Sequence, residues 1–251
     1  VNPVRVEARR KGAYGVDAPS LLPIPAVLIL INLVDGIASR TIVPFVAAGV
    51  IVVAMAWGLY ASRRGKFVVW ARLLNDLPWR GDERVLDVGC GRGAVLLMAA
   101  ERLPSGRAVG IDLWKKGDQS GNAAEATRRN AEAEGVAGRV ELETASMTAL
   151  PLADASFDCV LSSLAVHNVK SSGRDRALDE AVRVLRPGGR LMIADIMGTR
   201  QYRAHLARLG MIDVGRRGLG WRMWWSGPWL PTHLVTATKP ATPPLNGTER
   251  P

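Results

Sequence analysis

Two carboxylates and three glycines stand where they could cradle a ligand: Asp87, then Gly89, Gly91 and Gly93, then Asp112. An acid directly before a glycine turn repels phosphate, which argues against a pyrophosphate ligand. The GxGxG spacing also lacks the GxGxxG fit of a dinucleotide site. Asp112 closes an apolar run, where a carboxylate can accept both hydroxyls of a ribose. A cationic ligand carrying an adenosine suits this set. Further along, His167 has a reference pKa of about 6.5, which suits a general base. A loop histidine can equally bond backbone or orient a substrate, and Asn168 beside it can bond a substrate or cap a turn.

The elements that position these residues read directly from the pattern. Arg84–Val88 is a short β-branched run ending on the glycines, residues 94–103 carry apolar side chains at helical spacing, and residues 108–111 form a second apolar run. Strand, glycine turn, helix and strand make a right-handed crossover, which binds ligands at the carboxyl ends of its strands. The glycines allow a sharp turn and close backbone approach. Here the sequence resembles the class I S-adenosylmethionine-dependent methyltransferases, whose first motif is an acid followed by GxGxG and whose second strand ends in a ribose-binding acid. The phrase VLRPGGRLMIAD resembles that family's late motif, so the resemblance runs from Arg84 to Asp195.

The resemblance implies an α/β fold: a Rossmann-like, doubly wound seven-stranded sheet closing with a C-terminal antiparallel hairpin. It implies S-adenosyl-L-methionine as cofactor, contacted by Asp87, Gly89, Gly91, Gly93, Asp112, Leu113, Ser146, Met147 and Ser163. The adenine-binding acid of the family is replaced here by Ser146. Residues 140–145 and 157–166 are the expected third and fourth strands, and His167 follows the fourth, beside the cofactor's methyl group. A helix is expected to stop at Pro187-Gly188-Gly189, with a fifth strand at 190–196. Tyr60 and Lys66 are further pocket candidates, and Asp158 is expected to anchor the fourth strand. No cysteines and histidines stand at metal-ligand spacing, which disfavours a metal-dependent catechol methyltransferase.

Half of the 251 residues are apolar (48%), enough for one core domain and an extra element. With two cysteines, Cys90 and Cys159, each in a strand or its turn, a disulfide framework is not indicated. The net charge of +10 fits an anionic membrane surface or nucleic acid. Residues 42–60 are uncharged and long enough to span a bilayer, with Trp57 and Tyr60 at one end where interfacial aromatics belong. Residues 21–34 are apolar but shorter than the ~20 a span needs. Together they predict a helical hairpin in the membrane. Arg5, Arg9, Arg10 and Lys11 precede it and Arg63, Arg64, Lys66 and Arg72 follow, which places both flanks in the cytoplasm. A secretory signal cleaved near Ala38 is the competing reading, and it separates the enzyme from its cofactor.

The expected organisation is a basic, loose cytoplasmic segment over 1–19, the hairpin over 20–60, the methyltransferase domain over 61–240 and a flexible tail over 241–251. Near the end, Trp221, Trp224, Trp225 and Trp229 stand among Arg216, Arg217 and Arg222. They suit a membrane interface, stacked bases, an aromatic substrate pocket or simply a packed hairpin cap. The expected function is a membrane-anchored methyltransferase acting on a small-molecule or lipid-like acceptor. A nucleic-acid methyltransferase is disfavoured, because SSLAVHN stands where that class has Asn or Asp, Pro, Pro and an aromatic. A non-catalytic, membrane-bound cofactor-binding protein is the other alternative.

Overall fold

The computed structural model describes residues 10–241. Five strands run parallel: β1 (Arg84–Val88), β2 (Arg107–Asp112), β3 (Val140–Thr144), β4 (Phe157–Ser163) and β5 (Leu185–Asp195). With β6 (Ile212–Gly218) and β7 (His233–Thr238) they form a seven-stranded sheet of order β3-β2-β1-β4-β5-β7-β6. β7 is antiparallel to both β5 and β6. β1 is an interior strand buried from Val85 to Val88, which is why that stretch reads as apolar except for Asp87.

One face packs α3 (Lys66–Asn75), α4 (Ala94–Ala100) and α5 (Ala124–Ala133) through Trp70, Leu74, Leu96, Leu97 and Ala131. The other packs α6 (Ser171–Val184) and α7 (Thr199–Arg208) through Leu178, Ala181, Tyr202 and Leu206. Strand order reverses between β1 and β4, so their carboxyl ends splay and open a crevice.

The expected fifth-strand boundary needs correction. The helix ends at Val184, three residues before Pro187, and the strand begins at once at Leu185 and runs through Pro187. Residues 186–189 are a bulge, with Leu185 opposite Phe157 and Arg190 opposite Cys159. Lys239 Nζ donates to the carbonyls of Val182 and Leu185 at 2.7 Å, satisfying the end of α6. Asp158 anchors β4 as expected, accepting from the Arg84 amide at 2.8 Å and from Arg186 Nη1 at 2.8 Å.

Two apolar helices precede the domain, α1 (Pro23–Ser39) and α2 (Val43–Tyr60). Gly36 makes their close approach feasible, because a Cβ there would lie 2.7 Å from the Phe45 ring. Large apolar side chains face outward along both, Ile37 being 71% exposed. α2 continues through a π-helical turn (Ala61–Gly65) into α3, so residues 43–75 form one unbroken helix. That helix is the one among the described residues long and apolar enough to cross a membrane; α1 has 17 residues and is shorter.

The tryptophan segment packs on this helix. Trp224 stacks on Trp57 at 5.5 Å and Trp221 on Tyr60 at 5.6 Å, while Trp57 Nε1 donates to the Trp221 carbonyl at 2.9 Å. Trp229 remains 67% exposed. The backbones meet at two glycines: a Cβ on Gly58 would lie 2.4 Å from Trp225 O, and one on Gly65 would lie 1.9 Å from Arg222 O. Gly65→Val should therefore push the segment off the helix and cost about 1–3 kcal/mol or more, read as a lower midpoint in thermal melting. An unchanged midpoint would mean the two backbones are not in contact.

The loose amino-terminal segment is the second correction. From Arg10 onward it is a strap across the domain. Arg10 pairs with Glu101 at 2.5 Å and Glu134 at 3.1 Å, and Glu134 also accepts from the Lys11 and Gly12 amides and the Tyr14 hydroxyl. Asn130 grips Ala13 through both amide and carbonyl. Partnered charges and satisfied backbone groups hold the segment where composition alone suggested looseness. The basic run before Arg10 and nearly all of the expected flexible tail, residues 242–251, lie outside the described residues.

Candidate active site

The crevice at the carboxyl ends of β1, β2 and β4 is a cavity of about 800 Å³. Asp87, Gly89, Gly91, Asp112, Leu113, Ser146, Met147, Ser163 and His167 all line it, together with Lys66 and Asn168. Two candidates do not. Gly93 lies behind the turn with φ +83°, where a Cβ would crowd Thr127 and Leu97, so its part is to start α4. Tyr60 belongs to a separate apolar recess with Val53, Ala56, Trp57 and Trp221.

β1 carries Asp87 into the core at 1% exposure, and its Oδ1 has no hydrogen-bond partner. Burial first, and then the nearby charge of Asp112, pushes its pKa up to about 7. Gly89 and Gly91 have φ of +75° and +50°, which bends the turn so that the Gly89 and Cys90 amides both reach Ile111 O. The Gly91 amide donates to Asp112 Oδ2 at 2.9 Å, and Asp112 Oδ1 accepts from the Trp114 amide at 2.6 Å. Asp112 is thereby fixed at the end of β2 with acceptor capacity left for a ligand. Trp70 Nε1 donates to Ser163 Oγ at 2.9 Å, tying α3 to the end of β4. The Ser146 hydroxyl is paired with Thr148 at 2.8 Å.

His167 sits in a 3-10 turn (Val166–Asn168) after β4. Its Nδ1 is 2.5 Å from Oδ1 of Asp195, and its amide donates to Oδ2 at 2.9 Å. Asp195 ends β5 and is fully buried, accepting also from the Ile196 amide at 2.8 Å and the Tyr202 hydroxyl at 3.3 Å. Burial, then the charge of Asp195, holds the Tyr202 phenol protonated. An acceptor-only carboxylate fixes the proton on Nδ1, which leaves the Nε2 lone pair free. Asp195 was missed as a site residue, although it ends its strand as Asp112 ends β2. Asp17 and Gln119 were missed too: they line the cavity from the strap and the β2–α5 loop.

An adenosyl sulfonium fits these residues. The orphaned Asp87 oxygen calls for a cation or donor, Asp112 keeps acceptor capacity for a ribose hydroxyl, and the glycines leave room for close approach beside a turn whose own amides are already bonded.

Residues 85–189 match the model of a methyltransferase domain family. The ubiquinone/menaquinone biosynthesis C-methyltransferase UbiE of Geotalea daltonii is 34% identical over 128 residues, covering 50% of this chain and 51% of that protein. The demethylmenaquinone methyltransferase of Thermus thermophilus is 35% identical over 127 residues, covering 50% and 53%. This chain spans about half the length of the curated relatives it matches. In fold it is similar to the geranyl diphosphate C-methyltransferase of Streptomyces coelicolor, solved with geranyl diphosphate and S-adenosyl-L-homocysteine, at a TM-score of 0.56 and 16% identity over 69% of this chain and 79% of that one. The matched region is a methyltransferase domain similar to those that use S-adenosylmethionine.

Proposed function

We propose that this chain is a membrane-anchored methyltransferase that transfers the methyl group of S-adenosylmethionine to a hydrophobic or amphiphilic small molecule. The observation that carries this reading is one cavity lined by Asp87, Asp112, the glycine turn and His167, whose Nδ1 is held by buried Asp195, next to a long helix with an apolar first half. Bound there, the cofactor supplies an electrophilic methyl group. The protein's share is to align acceptor and methyl group, exclude water and take a proton at His167 Nε2 where the acceptor must lose one. Relatives named for quinone biosynthesis support a hydrophobic acceptor. The outward apolar side chains of α1 and α2 and the basic flanks support the membrane anchor, with the domain on the cytoplasmic face. Calorimetry with S-adenosylmethionine, followed by product detection against quinols, isoprenoids and other lipids, tests the reading. Binding without any product would leave a cofactor-binding protein.

Asp112→Ala should weaken cofactor binding by about 1.5–3 kcal/mol, the range for hydrogen bonds to a charged group. Unchanged calorimetric affinity in a folded variant would remove Asp112 from the site.

The raised pKa of Asp87 predicts a pH dependence. Its ordinary value is 3.8 and its folded value about 7, so ionisation costs the ligand-free protein stability, lost as pH rises through about 7. A cationic ligand favours the ionised carboxylate. Affinity for S-adenosylmethionine should then rise between about pH 6 and pH 8, with a proton released at the acid end, visible as a buffer-dependent heat of binding. A pH-independent affinity would take Asp87 out of contact with the cation.

A further inference from the structure

We propose that Lys66, held in place by Asp17 of the amino-terminal strap, binds the carboxylate at the amino-acid end of S-adenosylmethionine. This rests on the cofactor reading above and extends the binding site to residues outside the matched domain. Lys66 opens α3 and is only 4% exposed, yet its side chain lines the cavity. Nζ donates to Asp17 Oδ2 at 2.7 Å, which uses one of three N–H donors. The Asp17 carboxylate is itself fixed from three sides, since Oδ2 also accepts from Ser62 Oγ at 2.8 Å and Oδ1 accepts from Gln119 Nε2 at 3.0 Å. Gln119 Oε1 in turn accepts the Arg92 amide at 2.8 Å, so this chain of bonds ends on the glycine turn.

Sheet order says which end of the ligand Lys66 would meet. The diol acceptor Asp112 ends β2, and Ser146 and Met147 follow β3, so the adenosine lies toward β2 and β3. The amino-acid end must then extend toward β1 and β4. α3 is on that side, because Trp70, one turn beyond Lys66, bonds Ser163 at the end of β4. The wall there offers a buried ammonium and the unpartnered Asp87 oxygen, the two signs that an amino-acid zwitterion needs. A pair that served only to close the strap could face away from the cavity; Asp17 and Lys66 both line it.

The test compares two nucleosides on the full-length protein in lipid nanodiscs. S-adenosylhomocysteine has the aminocarboxylate and 5′-methylthioadenosine lacks it. Lys66→Met keeps the buried stem and should bind S-adenosylhomocysteine about 10- to 100-fold more weakly, the range for hydrogen bonds to charged groups, with 5′-methylthioadenosine affinity unchanged. Lys66→Arg should recover part of the loss. Asp17→Asn, which keeps an oxygen toward Ser62 and Lys66 and turns its NH2 against Gln119 Nε2, should show a smaller loss with the same selectivity and decides the matter if Lys66→Met does not fold. Equal weakening toward both nucleosides, or none toward S-adenosylhomocysteine, overturns the proposal. Wild-type protein that binds neither nucleoside overturns the cofactor reading instead.

Discussion

His167→Ala is expected to lower turnover about 100-fold or more while S-adenosylhomocysteine affinity stays nearly intact. The imidazole lines the cavity after β4, and Asp195 holds its proton on Nδ1, so the lone pair that can take a proton is the one on Nε2. Asp195 is a positioning residue in this scheme. Each of its oxygens already accepts a backbone amide, from Ile196 and from His167. Asp195→Asn must therefore turn an NH2 group against an N–H donor in either orientation, at a cost of about 1–3 kcal/mol. If the two residues act as one unit, the double variant should be scarcely slower than His167→Ala alone. Wild-type turnover in a folded His167→Ala would reduce the histidine to a structural residue.

What was legible in the sequence was what is local in the chain. The β1 turn, β2 and Asp112 lie within 29 residues, and their apolar periods and glycines report on one another directly. The His167–Asp195 bond spans 28 residues but depends on β4 pairing with β5 in the register that sets Ser163 beside Ala194, and no spacing in the sequence carries that register. The strap was illegible for the same reason at longer range. Arg10 looks like one more solvated charge until Glu101 and Glu134 are brought to it from two different helices. Likewise Trp221 and Trp224 announced an aromatic surface, but their partner is Trp57, more than 160 residues earlier. Composition tells what kind of contact a residue can make; only the fold supplies the other half.

The full-length protein is expected to stay with membranes through high salt and alkaline carbonate, treatments that strip proteins held by charge alone. α2 contributes 18 helical residues, about 27 Å at 1.5 Å per residue, close to the ~30 Å hydrocarbon thickness. α1 packs beside it and exposes Ile24, Leu30, Ile31 and Ile37, so the pair presents apolar surface outward instead of burying it in the domain. Polar groups gather at the turn between them, where Asp35, Ser39, Arg40 and Thr41 can meet water on the far side. Backbone groups within each helix are satisfied internally, as the bilayer requires. Removing residues 1–64 should release the domain largely into the soluble fraction, yet the fragment lacks both Asp17 and Ser62. It should therefore hold S-adenosylhomocysteine less well than 5′-methylthioadenosine, relative to the full chain. Protease added outside sealed, right-side-out vesicles should spare the domain, because basic flanks on both sides of the hairpin favour the cytoplasmic face. Release of the intact protein by carbonate would sink the spanning hairpin, and digestion of the domain from outside would reverse its orientation and separate the site from a cytoplasmic cofactor supply.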